Sequence, residues 1–141
     1  MTKIAFVSSE RPEAKNSLKI LKRMYTNVSP EKADIIVALG GDGTILKSLH
    51  SFLKSKKPIY GMNRGNVGFL MNQYSEKELH KRLSEAISYK LHPLKIKSFH
   101  EDGNVQNSLA FNDISMIRNS SKIAKIKIQI NNKIRIKEFL G

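Results

Sequence analysis

The stretch Ile35-Ile36-Val37-Ala38-Leu39-Gly40-Gly41-Asp42-Gly43-Thr44 decides the fold of this chain. A short, continuous apolar run that ends in glycines is the pattern of a strand buried on both faces, as in a parallel sheet. The run passes through a turn nearly free of side chains into Ile45, Leu46, Leu49, Phe52 and Leu53, whose spacing places them on one helix face. Strand, glycine turn and helix in that order predict a phosphate site at the strand's carboxyl end. Gly40, Gly41 and Gly43, lacking Cβ atoms, are expected to take positive φ and let backbone N–H groups approach a phosphate closely. Asp42 is the odd member. A carboxylate repels phosphate, so it belongs in a turn that must deprotonate a hydroxyl or hold a cation. The plainer reading has Asp42 N-capping a helix that begins near Thr44, which leaves the glycines around it unexplained.

Outward from this turn, strand-like and helix-like segments alternate. Ile4 to Val7 is an apolar strand; after Pro12, residues Ala14, Leu18, Leu21 and Tyr25 recur at helical spacing, and Ser29-Pro30 bounds that helix. Lys56-Lys57-Pro58 stops the second helix, and Ile59 and Tyr60 open a third strand. That strand leads into another glycine-rich segment, Gly61-Met62-Asn63-Arg64-Gly65-Asn66-Val67-Gly68-Phe69-Leu70. Alone it reads equally as a long loop; as the second such turn after successive parallel strands, it is expected to share a crevice with the first. Ser75 and Glu78 form a capping-box pattern before a helix whose buried face is expected to hold Leu79, Leu83, Ala86 and Ile87.

At His92-Pro93 the period changes to two. Leu94 and Ile96 alternate with Lys95 and Lys97, and Asp102-Gly103 offers a turn into Val105 to Phe111. Ala124, Ile126, Ile128 and Ile130 alternate with polar residues, Asn131-Asn132 turns the chain, and Ile134 and Ile136 return. These are expected to be half-buried antiparallel strands, which divides the chain into residues 1–91, an α/β unit, and 92–141, a β unit. So few strands leave edges and an apolar face uncovered, so a continuation of the β unit is expected elsewhere.

The composition bounds the function classes. The 141 residues fit one domain, or one small domain with part of another. There is no cysteine, and His50, His80, His92 and His100 have no zinc-like spacing, so no protein-held metal site is expected. No apolar stretch approaches the roughly 20 residues of a membrane span, and the amino terminus shows no signal-peptide pattern, so a cytoplasmic protein without a membrane partner is expected. Twenty-five Lys and Arg against 12 Asp and Glu give a formal charge of +13, which favours anionic partners. The excess is spread along the chain with few aromatic residues among the lysines, the pattern of solvated faces rather than of a nucleic-acid surface. Lys47, in the helix after the glycine turn, either reaches a phosphate or faces water. Asn112-Asp113 is either a bulge or a pair of acceptors for ribose hydroxyls or an amide.

Together these residues resemble the NAD kinase family. Gly40 to Gly43 match its Gly-Gly-Asp-Gly turn, and Gly61, Asn63, Gly65, Gly68, Phe69 and Leu70 match its Gly-x-Asn-x-Gly-x-x-Gly-Phe-Leu segment. Asn112-Asp113 stands where the family has Asn-Glu, one methylene shorter at the acid. Phosphofructokinases and diacylglycerol-type lipid kinases share the first turn; the second segment is what points to NAD. The resemblance implies an α/β, Rossmann-like parallel sheet with crossover helices, followed by an incomplete antiparallel all-β domain. It also implies transfer of the ATP γ-phosphoryl group, or that of polyphosphate, to the adenosine ribose 2′-hydroxyl of NAD, with Asp42 as general base and Mg²⁺ accompanying ATP. Gly40, Gly41 and Gly43 would admit phosphates, Phe69 and Leu70 would lie along the adenine, and Asn112 and Asp113 would hydrogen-bond the dinucleotide. Phe139-Leu140-Gly141 matches the start of a family segment whose Thr-Pro-x-Gly-Ser-Thr-Ala-Tyr loop is absent here. A companion chain carrying the rest of the β domain, and homo-oligomers of the complete protein, are the implied partners; a non-catalytic nucleotide-binding fragment or relic is the alternative.

Overall fold

The structure, a computed structural model, describes residues 2–66, 68–119 and 121–140. Val67 of the second glycine segment and Gly141 of the final motif lie outside that set. The apolar run forms β2 (Ile35–Gly40), the central strand of a parallel sheet between β1 (Ile4–Ser8) and β3 (Ile59–Asn63). Register aligns Ser8 with Leu39 and Gly40 with Asn63, so the three carboxyl ends finish in one row. The fold class expected from the sequence is the one found: an α/β sheet with crossover helices, followed by small antiparallel sheets.

Alternation along the strands sends side chains to both faces, and both are covered. Ile4, Phe6, Val37, Leu39, Tyr60 and Met62 pack with Ala14 and Leu21 of α1 (Pro12–Met24) and Leu79 of α3 (Leu79–Glu85). On the other face Ala5 and Ile36 pack with Ala33, Ile59 and Phe52, the last residue of α2 (Asp42–Phe52). Pro12 starts α1 where its missing N–H costs nothing, and Lys22 and Arg23 complement the dipole at its other end. After α2 a single 3-10 turn (Leu53–Ser55) ends at Lys56 in the left-handed region.

Two asparagines seal the sheet edges. The Asn27 carboxamide accepts the Phe6 N–H at 3.0 Å on the outer side of β1. Asn72 bridges β3 through its backbone, and its side-chain amide donates to the Gly61 carbonyl at 3.1 Å. Strand edges are templates for unwanted pairing, and both are occupied here by the chain's own loops.

The expected capping box at α3 does not form. The Ser75 hydroxyl accepts the Lys77 N–H instead, Glu78 sits in the left-handed region at φ 52°, and no side chain of the helix caps it. Tyr25 from the end of α1 takes over: its hydroxyl donates to the Glu76 carbonyl at 2.7 Å and accepts the Leu79 N–H at 3.2 Å. The helix closes at Glu85, so Leu79 is buried and Leu83 partly so, while Ala86 and Ile87 fall outside it and are exposed.

Beyond residue 92 the strands pair as expected. β4 (Leu94–Phe99) pairs with β5 (Val105–Ala110) across a turn with Gly103 at φ +84°. β6 (Lys125–Ile130) pairs with β7 (Lys133–Leu140) through Asn131 and Asn132, both at positive φ as a two-residue type I′ turn requires. The first hairpin keeps a partly buried face at Ile96 and Ser98 of β4 and Ser108 and Ala110 of β5, whereas β7 is exposed throughout and β6 everywhere but Ile126. Each hairpin is a separate two-stranded sheet, and Leu94, Phe99, Ile130, Ile134, Phe139 and Leu140 are exposed. The stretch after β5 does return to the α/β unit, where Phe111 meets the His50 ring edge-on at 5.2 Å.

Replacing Tyr25 with Phe leaves the Leu79 amide and Glu76 carbonyl without their partner in a part-buried place, so unfolding in urea should show a loss of about 1–2 kcal/mol. An unchanged midpoint would remove Tyr25 as the cap of α3.

Candidate functional site

The site grows from the row of strand ends. Gly40 closes β2, Gly41 is the N-cap of α2 in an extended conformation (φ −119°, ψ −171°), and Asp42 is the first helical residue. Among the described glycines only Gly103 has positive φ, so the turn does not use the left-handed backbone expected of it. Its glycines serve by size. At Gly40 a methyl would collide with Thr44 Oγ1, lie 2.9 Å from Thr44 Cβ and 3.2 Å from Ser9 Cβ. At Gly41 and Gly43 a methyl would meet nothing within 4 Å. A glycine inside a helix costs about 0.8–1.0 kcal/mol relative to alanine, and nothing within the chain requires it at Gly43.

Asp42 does not cap the helix. Its carboxylate reaches across to the second glycine segment, where Oδ2 accepts the Phe69 N–H at 2.8 Å and Oδ1 accepts the Leu70 N–H at 2.9 Å. A carboxylate offers about four lone-pair sites, so two remain free. The approach is close enough that a Cβ on Gly68 would lie 2.6 Å from Oδ1. The positive end of the α2 dipole adds to the stabilisation of the charge, about 0.3–1 kcal/mol for an exposed group.

The two motifs are therefore one structure. The Arg64 N–H donates to the Gly40 carbonyl at 2.7 Å, and Asn63 shapes the loop from within: Oδ1 accepts the Gly65 N–H and Nδ2 donates to the Asn66 carbonyl. Asn63 is thus engaged in holding the backbone of its own turn. Phe69 is 95% exposed and Leu70 partly so, which leaves an apolar surface beside the carboxylate.

Two clefts flank the row of strand ends. One of about 360 Å³ opens beside the start of α2, lined by Ser8, Ser9, Glu10, Gly43, Thr44 and Lys47 among others. Lys47 thus sits on the cleft wall while remaining exposed. Glu10 on the rim is held below the usual carboxylate range by its hydrogen bond and ion pair with Lys15, 2.6 Å away. The other cleft, about 320 Å³, opens beside the start of α1 and is lined by Arg11, Glu13, Asn63, Arg64, Gly65 and Asn66.

Asn112 and Asp113 lie just past β5, exposed and outside any strand. Neither lines the two clefts, and Phe111 beside them touches α2 through His50 rather than through the glycine turn. Among the described residues no three His, Cys, Asp or Glu side chains converge as a metal site, and no helix is long and apolar enough to cross a membrane.

Ser9, Arg11 and Arg64 escape a reading of motifs. The signal that finds Ser9 and Arg11 is topological, since they follow directly on the end of β1, beside β2 in the same crevice. Arg64 stands inside the second segment at a position the motif leaves open. Its guanidinium lies 4.3 Å above the Tyr74 ring, and burial raises the Tyr74 hydroxyl above its ordinary range, so the ring beneath the cation stays neutral.

Alanine at Gly40 should lower stability by about 1–3 kcal/mol, the usual cost of overpacking, while alanine at Gly43 should leave it unchanged or raise it by up to about 1 kcal/mol. Thermal unfolding of the two variants checks the contrast; equal losses would mean that Gly43 is required by packing.

Comparison with known proteins agrees with this geometry. Residues 2–90 match the model of the ATP-NAD kinase N-terminal domain. The chain is 44% identical over 140 residues to the NAD kinase of Caulobacter vibrioides, covering 99% of this chain and 54% of that protein. It is 42% identical over 136 residues to the NAD kinase of Rhizobium meliloti (96% of this chain, 53% of that protein) and 42% identical over 139 to that of Xylella fastidiosa (99% and 53%). The chain spans about half the length of the curated relatives it matches. By its sheet, its two joined glycine segments and these matches, the chain belongs to the NAD kinase family.

Proposed function

We propose that this chain is the amino-terminal part of an enzyme that phosphorylates NAD to NADP, and that Asp42 is its general base. The observation that carries the reading is the Asp42 carboxylate clamped by the Phe69 and Leu70 amides, with two lone-pair sites still open. In the step proposed, a free lone pair of Asp42 takes the proton of the ribose 2′-hydroxyl as that oxygen bonds to the γ-phosphorus. The bond from the γ-phosphorus to the β–γ bridging oxygen breaks, and ADP leaves. A carboxylate is a weak base for a hydroxyl, so its contribution rests on position, as is usual where the phosphoryl transition state is loose.

Gly41 and Gly43, whose missing Cβ atoms face open space, leave room for phosphate beside the base. Lys47 on the cleft wall supplies positive charge. Phe69, exposed next to the clamp, offers a face for the adenine with Leu70, and Asn112 and Asp113 serve the dinucleotide from the β portion. A magnesium ion fits this site as a companion of the nucleotide: Mg²⁺ commonly binds through one or two carboxylates plus substrate phosphates, and Asp42 is the carboxylate at hand. When bound it would neutralise phosphate charge that Asp42 otherwise repels.

The division at residues 91 and 92 separates the unit carrying the base from the unit carrying Asn112 and Asp113. The exposed apolar faces of the two hairpins favour an active species that includes further β structure, as a longer polypeptide or a companion chain, and homo-oligomers fit the same surfaces. A cytoplasmic location fits the substrates.

Asp42→Asn in a complete or reconstituted protein should lower kcat for NADP formation by about 10²–10⁴-fold, with the KM for NAD changed far less. An unchanged kcat would end the role of Asp42 as base, and a rise in KM with kcat intact would make it a binding group only.

A further inference from the structure

The β unit is joined to the α/β unit by residues 86–92, which are exposed and lie outside any helix or strand, so the covalent connection does not by itself fix where Asn112 and Asp113 stand. A contact between side chains adds the missing constraint. β5 is exposed at its start, but Ser108 and Ala110 near its end are partly buried, and so is Phe111, the residue after the strand. The Phe111 ring lies perpendicular to that of His50 with centroids 5.2 Å apart, an arrangement aromatic pairs prefer. Asn112 and Asp113 follow at once, so whatever holds the ring limits where these two polar side chains can go. His50 is in the last turn of α2, and Asp42 is the first residue of the same helix. The helix itself is well seated: Ile45 and Ser48 are buried, and the Ile45 side chain packs so closely on Gly61 of β3 that a Cβ there would collide with it. From Asp42 to His50 this rigid spacer advances about 12 Å.

We propose that Phe111 is a positioning residue for NAD: its ring, seated against His50 at the end of α2, holds Asn112 and Asp113 at a set distance from Asp42 at the start of that helix. This deepens the reading of the chain as an NAD kinase and rests on it for the identity of the ligand. A dinucleotide taken at one place by Asp42 and at another by Asn112 and Asp113 bridges both parts of the chain. A segment that must be ordered on binding weakens affinity through lost conformational entropy, and pinning the backbone at Phe111 removes that loss from the binding step. The effect falls on NAD binding, and the transfer step is left to groups that Phe111 does not touch.

Two measurements test this. The first reads the contact in the 141-residue chain by NMR of the histidine rings, with His50→Gln identifying the His50 signals. Phe111→Leu should move those signals and leave the rings of His80, His92 and His100 in place; unmoved His50 signals overturn the proposal. The second titrates the complete protein with NAD. Phe111→Ala should weaken NAD binding about three- to tenfold, the range of a lost aromatic pair, and raise the KM for NAD in step, with kcat and the KM for ATP changed less than about twofold. Phe111→Tyr keeps the ring and should bind NAD as the unaltered protein does. His50→Ala should cause a similar loss, and combining it with Phe111→Ala should bind NAD no worse than Phe111→Ala alone, because both remove one contact. Additive losses, a Phe111→Tyr variant as weak as Phe111→Ala, or a fall in kcat together with a rise in both KM values overturn the proposal. The reading beneath it fails separately: if the complete protein makes no NADP while Phe111→Ala weakens NAD binding, the positioning role stands and the kinase assignment falls. If the complete protein makes NADP and Phe111→Ala leaves NAD affinity and its KM unchanged, the assignment stands and the positioning role falls.

Discussion

One carboxylate holds the site together. The two oxygens of Asp42 accept adjacent backbone amides, Phe69 at 2.8 Å and Leu70 at 2.9 Å, from a segment 27 residues further along the chain. These two bonds fix the Asp42 side chain as much as they fix the loop, because a carboxylate tied at both oxygens cannot rotate away from the crevice. It also explains a glycine at position 68, where a Cβ would lie 2.6 Å from Oδ1. With the Arg64–Gly40 hydrogen bond at the near end, the loop is pinned at two points over the turn it follows in space. Everything proposed for this chain depends on those two glycine segments acting as one object.

The glycines then separate into two kinds by what surrounds them. Gly40 and Gly61 are required by the protein, the first against Thr44 and Ser9, the second against Ile45 and Met71. Gly41 and Gly43 have no such neighbours. Gly41 is the N-cap, where glycine costs little, but Gly43 weakens the helix while facing open space, which points away from packing and toward whatever enters the space. Sequence shows four glycines of equal standing; only their surroundings divide structural necessity from room for a ligand.

That division marks how far the sequence could be read. The three strands, both crossover helices and both hairpin turns follow from periodicity and turn chemistry, since apolar runs buried on two faces and Asn-Asn or Asp-Gly turns have few other uses. The meeting of the two glycine segments was legible because parallel strands end on one side of a sheet. Positive φ at Gly40, Gly41 and Gly43 was wrong: a strand that runs straight into a helix needs no left-handed residue. The cap of α3 was also misread, because Tyr25 lies 54 residues from Leu79 in the sequence and no local pattern announces a partner so distant. Arg11 and Arg64 likewise have no local pattern that joins them, since they meet only along the cleft beside the start of α1.

The two parts of the chain contribute unequal rigidity. The α/β unit buries both faces of its sheet and closes both edges with asparagine, so Asp42 stands at the end of a well-packed strand. The hairpins before and after Asn112 and Asp113 pair only with themselves, and a lone two-stranded ribbon is marginal in water. Local opening is drawn from such weakly packed regions. Under the proposed function this puts phosphate handling on the rigid unit and dinucleotide recognition partly on the pliant one. Covering the hairpins would then act chiefly on NAD affinity, and the geometry around Asp42 would be little altered, because none of the hydrogen bonds that clamp it comes from beyond residue 70.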